Sequence, residues 1–167
     1  MSEATRSINL LASLRCRPDA QAVVRGSESA PSVAGLVRFF QTKRGVLVLA
    51  EISGLPEAED ACGKRFFAFH IHSGASCSGN DEDSFANALT HYNPGGCPHP
   101  AHAGDLPPLL ANRGCALQLF LTDSFTVREI IGRTIIIHSG WDDFSTQPGS
   151  NAGSKIACGQ IRAAGSR

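Results

Sequence analysis

The sequence predicts an all-β domain, a sandwich or Greek-key barrel of about eight short strands carrying two long functional loops. Three observations predict it. Apolar, β-branched runs of strand length recur between Gly, Pro, Asn and Ser clusters. These runs follow one another at the spacing of a β-meander. And residues 73–113 carry no periodic pattern, a length that is rare inside a compact domain unless function or a cross-link orders it.

Residues 1–19 show no sustained period and read as an N-terminal arm, leaving 20–167 as one domain. Gln21 to Arg25 is the first strand-like run, ended by Gly26-Ser27-Glu28-Ser29-Ala30-Pro31. Val33 to Gln41 leads to Thr42-Lys43-Arg44-Gly45, and Val46 to Ile52 leads to Ser53-Gly54-Leu55-Pro56, the rhythm of a meander. Lys64 to His72 alternates around Phe67, Phe69 and Ile71. Cys115 to Thr122, Arg133 to His138 and Lys155 to Ala163 complete the strands, with a turn of helix or irregular chain over Phe125 to Ile131.

The formal net charge is zero, which excludes a general nucleic-acid or membrane-surface binder and leaves room only for a local patch that steers a small anion. No apolar stretch approaches a transmembrane span. Ile8 to Leu14 is too short and polar for a signal-peptide core, so the chain reads as cytoplasmic, or as an exported chain already processed. None of the six cysteines (Cys16, Cys62, Cys77, Cys97, Cys115, Cys158) forms a CxxC pair, which argues against a zinc ribbon or a thioredoxin motif.

The chemistry sits between Phe69 and Asp105, which holds five of the six histidines. His70 and His72 flank Ile71; in a strand they share a face and can reach one ion. His99, His102 and Asp105 are spaced i, i+3, i+6, compact enough to converge on a zinc ion, with His91 able to supply the fourth donor. His138 ends the apolar run Thr134-Ile135-Ile136-Ile137.

His70-Ile71-His72, His91-Tyr92-Asn93-Pro94, His102-Ala103-Gly104-Asp105-Leu106, Gly132-Arg133-Thr134 and the stretch Gly149 to Gly159 together resemble the copper/zinc superoxide dismutase family. The resemblance runs in the family's order from Ala20 to Ile161. It implies an eight-stranded, immunoglobulin-like Greek-key β-barrel with long metal-binding and active-site loops. It implies copper held by His70, His72, His91 and His138, and zinc held by His91, His99, His102 and Asp105. His91 would then be shared, a role open only to an imidazole that has lost both N–H protons. Asp142 matches the carboxylate that links a copper-side histidine to a zinc-side one, and Cys77 and Cys158 match the family's intrachain disulfide. The implied reaction is 2 O2•− + 2 H+ → O2 + H2O2, with His91 carrying a proton and the residue at Lys155 docking the anion. The family includes monomers and homodimers, so a homodimer is possible.

The chain departs from that pattern in three places. Lys155 stands where most members carry arginine; it keeps the charge but loses the planar fork, so reduced rather than abolished activity is expected. Only Pro100-Ala101 separate His99 from His102, and no charged residue lies between Asp143 and Gly149, so long-range steering should be weaker. The competing reading is a catalytically weak or inactive metal carrier or structural module of the same fold. All the histidines that the resemblance assigns to copper are present, which favours the enzyme.

Overall fold

The computed structural model describes residues 12–57 and 66–165. Its strands are β1 (Ala20–Gly26), β2 (Ala34–Thr42), β3 (Gly45–Ser53), β4 (Phe66–His72), β5 (Asp105–Leu110), β6 (Ala116–Thr122), β7 (Thr134–His138) and β8 (Lys155–Ala163). They pair antiparallel in the order β5-β4-β7-β8-β1-β2-β3-β6. Neither β3 and β4 nor β6 and β7 are neighbours, so the chain crosses the end of the sheet twice, as a Greek key requires. The sheet curls into a nearly closed barrel whose seam lies between β5 and β6. One helical turn, α1 (Val127–Ile130), precedes β7 and is capped by Thr126 and Glu129. Of the expected arm, residues 1–11 lie outside the described residues, as do Lys64 and Arg65 of the expected fourth strand and Cys62.

One strand escaped the sequence reading. β5 lies inside the stretch expected to be without regular structure, and Pro107-Pro108 explain why it was hidden. Proline cannot donate to a ladder, so a strand containing it is confined to an edge. β5 is that edge, and the Gln118 side chain crosses the seam to donate to the Pro107 carbonyl at 2.8 Å.

The core follows from alternation. Val46, Val48 and Ala50 of β3, Phe67, Phe69 and Ile71 of β4, and Ile135 and Ile137 of β7 fill the barrel. β4 and β7 are also buried on their other face: the loop after β4 covers it, seating Phe85 and Ala88 against Ile136 and Cys158. Burial on both faces accounts for the continuous run Thr134-Ile135-Ile136-Ile137, which a half-exposed strand would not show.

The same covering buries His70, His72 and His138 between the barrel wall and the loops. A disulfide from Cys77 to Cys158 fastens the loop to β8, with Cα atoms 5.6 Å apart. It closes a chain segment with a sequence separation of 81 residues. In the chain-entropy picture such a closure stabilises the fold by about 4–5 kcal/mol. Cys77→Ser should therefore lower the unfolding free energy by an amount of that order, read by chemical denaturation at fixed metal content; a change within error would assign the bridge no stabilising role.

Candidate metal centre

Three main-chain hydrogen bonds gather the site. The Ile71 N–H donates to the Gly104 carbonyl, the Tyr92 N–H to the Ile71 carbonyl, and the Gly104 N–H to the Tyr92 carbonyl, each at 2.8 Å. Ile71 lies between His70 and His72, Tyr92 follows His91, and Gly104 lies between His102 and Asp105. A β-carbon at Gly104 would meet the Ile71 carbonyl oxygen at 2.3 Å, so only glycine permits this approach. The Arg133 guanidinium supports the junction from β7's side, lying 4.6 Å from the Tyr92 ring centroid and donating to the Ser73 carbonyl at 2.7 Å.

The ring nitrogens sort themselves by their other partners. His72 Nδ1 faces the Leu89 carbonyl at 2.8 Å and His138 Nδ1 faces the Gly153 carbonyl at 3.3 Å, contacts in which the ring must donate. Their Nε2 atoms then carry lone pairs, and these face one another at 3.4 Å. His70 donates from Nε2 to Asp142 Oδ2 at 2.8 Å, and its Nδ1 is buried with no partner. Converging buried lone pairs repel unless a cation lies among them, so the donor set of His70, His72, His91 and His138 fits a metal that favours imidazole.

The second set lies behind the first. Asp105 Oδ1 is 2.7 Å from His91 Nδ1, and its Oδ2 is 2.9 Å from His99 Nδ1. His102 Nδ1 lies 3.3 Å from His91 Nδ1. His99 donates from Nε2 to Asp142 Oδ1 at 2.9 Å, so its Nδ1 also presents a lone pair, here toward a carboxylate. Three imidazoles and one carboxylate converging in this way match a tetrahedral zinc shell. His91 belongs to both sets, and Asp142 holds one ring from each.

Two side chains here had no signal in the sequence reading. Gln147 clasps the His99 main chain, accepting its N–H at 3.0 Å and donating to its carbonyl at 2.7 Å, which binds the loop after β7 to the loop that carries His99 and His102. Asp83 takes the Lys155 ammonium at 2.6 Å. Lys155 lines a cleft of about 510 Å³ with His72, His91, His102, His138 and Gly149. Gly149 packs on His91, where a β-carbon would stand 3.2 Å from the ring's Cε1 and Nε2. A different groove, between β1 and β8, is lined by Gln21, Arg25, Gln160 and Arg162 and by none of the histidines. His99, Asp142 and Asp143 also lie close together, but Asp142 is spent on two rings and Asp143 caps the turn at Ser145 and Thr146.

The comparisons agree with this geometry. The sequence profile of the copper/zinc superoxide dismutase (SODC) family matches residues 33–161. The chain belongs to the copper/zinc superoxide dismutase family. It is 33% identical over 145 residues to superoxide dismutase [Cu-Zn] 2 of Aquifex aeolicus (strain VF5), covering 78% of this chain and 80% of the relative. It is 35% identical over 161 residues to superoxide dismutase [Cu-Zn] of Schizosaccharomyces pombe (strain 972 / ATCC 24843), covering 85% and 96%. The Cu/Zn superoxide dismutase from Brucella abortus shares the fold with a TM-score of 0.69 at 24% identity, over 84% of this chain and 98% of that one.

Burial and neighbouring charge set the protonation of the metal-free site. Burial, then repulsion from His70, pushes His138 down to about 3. Burial and the neighbouring His138 push His72 well down, and burial lowers His70 against the pull of Asp142. These rings stay neutral in the native state and take up protons on unfolding. For His138 the unfolded chain therefore binds more protons between its ordinary 6.5 and about 3, and stability falls as pH drops through that window, at up to ~1.4 kcal/mol per unit; the lowered His72 and His70 act in the same direction. Burial pushes the Asp142 carboxyl up, but donation from His70, Phe144 and His99 outweighs it and holds it well below its ordinary 3.8. The Asp142 contribution is complete above that value and lost only below it. Chemical denaturation of the metal-free protein should accordingly give a lower unfolding free energy at pH 5 than at pH 7. Equal values would contradict the buried neutral histidines.

Proposed function

We propose that this chain is a working superoxide dismutase, with copper held by His70, His72, His91 and His138 and zinc held by His91, His99, His102 and Asp105. The observation that carries the reading is the position of His91 in both donor sets. When bound, copper supplies one-electron exchange with superoxide in both directions, and zinc supplies a fixed positive charge with no redox chemistry.

The protein's own residues do the rest. Asp105 lies against His91 Nδ1 and so fixes that end of the ring, while Nε2 turns toward the cleft lined by Lys155 and Gly149. His91 Nε2 is the atom placed to hold a proton and deliver it to a reduced anion in the cleft. Asp142 holds the donating nitrogens of His70 and His99, which locks the tautomers that aim both Nδ1 atoms inward. The bare α-carbon of Gly149 leaves the approach to His91 open. Lys155 supplies the attraction for a small anion. Its pairing with Asp83 and the absence of charge between Asp143 and Gly149 favour a rate below that of a relative with a free arginine and a charged loop. The Cys77–Cys158 bridge persists where thiols are not kept reduced, which favours an exported chain over a cytoplasmic one.

Reconstitution with both metals separates the two sets. His138→Ala should lose copper and superoxide removal while keeping zinc, and His102→Ala should lose zinc first. Stoichiometric zinc with no copper in the parent protein, and no activity that depends on His138, would leave a zinc-binding module and overturn the enzyme reading.

A further inference from the structure

Lys155 opens β8, opposite His138 in the β7–β8 register, and lines the cleft with His72 and His91. An ammonium on a four-carbon stem has three donors and many rotamers, whereas a guanidinium fork carries its geometry with it. In this chain two of those donors are committed: one to Asp83 Oδ2 at 2.6 Å and one to the Phe85 carbonyl at 3.2 Å. One N–H remains, and the side chain is only 15% exposed.

The acceptor is itself built in. Asp83 Oδ1 takes the Phe85 N–H at 2.9 Å, and the Asp83 carbonyl takes the N–H groups of Asn80 and Ala86 at 3.0 Å each. Phe85 is buried against Ile136 and Cys158. Burial works against ionisation of Asp83, but the Lys155 hydrogen bond and the Phe85 amide prevail and keep its carboxyl below the ordinary range, so it is an anion at neutral pH. Asp83 and Phe85 do not line the cleft; Lys155 does. The carboxylate thus holds the ammonium from outside the set of residues that line the cleft.

We propose that Asp83 is the positioning residue for Lys155: with the Phe85 carbonyl it pins the ammonium at the cleft and leaves one N–H for the substrate anion. It supplies the rigidity that an arginine fork would have brought, at the cost of a neutralising charge nearby. The proposal rests on the reading of Lys155 as the anion-docking residue.

The test uses the copper- and zinc-loaded protein and its Asp83→Ala, Asp83→Asn and Lys155→Gln variants. Azide binding is followed by visible absorption, and acylation of Lys155 by mass spectrometry. Asp83→Ala should weaken azide binding by roughly tenfold or more, the scale of one hydrogen bond to a charged group, and approach Lys155→Gln. Lys155 should then be acylated several-fold faster. Asp83→Asn keeps an acceptor oxygen without the charge; it should retain slow acylation and bind azide at least as tightly, with a steeper loss as salt rises. Unchanged azide affinity and acylation in Asp83→Ala would overturn the proposal. So would tighter azide binding in both variants, which would make Asp83 a charge screen and not an anchor. Should the parent take up no copper, the failure belongs to the enzyme reading. Acylation then decides alone: faster in Asp83→Ala supports the anchor, and unchanged overturns it.

Discussion

The cycle of main-chain hydrogen bonds joining Ile71, Tyr92 and Gly104 is the constraint on which the site depends. Each of the three residues is flanked by donors, so one junction sets His70, His72, His91, His102 and Asp105 at once. Donors drawn from β4, the loop and the start of β5 become one cluster because three backbone segments touch. A glycine at 104 is what allows the contact. Donors placed by backbone within a barrel wall are more rigid than donors placed by side-chain packing alone, and a shared imidazole tolerates little play at either nitrogen.

Around that junction the fold buries the rings and leaves the His70 Nδ1 without a hydrogen-bond partner. The outer faces of β4 and β7 lie under a long loop, so His70, His72 and His138 are as buried as core residues. Each ring has one nitrogen spent on a carbonyl or carboxylate, which fixes the tautomer and points the other lone pair inward. Such an arrangement is unfavourable for an apo protein and favourable for one holding cations, which couples metal binding to stability. The disulfide and the Lys155–Asp83 pair fasten the covering loop to β8 at two points, the second at the cleft that Lys155 lines. Loop order, charge at the cleft and ligand geometry are therefore parts of one device.

The sequence made some of this legible and hid the rest for physical reasons. The period-two spacing of His70 and His72 needed only strand geometry, and seven of the eight strands followed from β-branched runs between turn residues. The convergence of His91 and His138 with them is long-range, and no local pattern carries it; the family resemblance supplied it. β5 was concealed by Pro107-Pro108, which read as loop until its position at the sheet edge is known. Asp83 sat in the stretch 73–113, which carries no periodic pattern, and its partner lies 72 residues away. Gln147 was invisible for the same reason, since its two bonds are to main chain 48 residues distant. Side chains that act by holding other side chains leave little trace in spacing or composition.

His91 belongs to both donor sets, and the proposed function requires that this one ring serve two different ions. Anomalous diffraction from crystals of the copper- and zinc-loaded protein, collected on both sides of each metal's absorption edge, tests it most directly. For the oxidised protein, one copper peak in contact with His91 Nε2 and one zinc peak in contact with Nδ1 of the same ring are expected. A single peak, or two peaks of which either fails to touch His91, would contradict it.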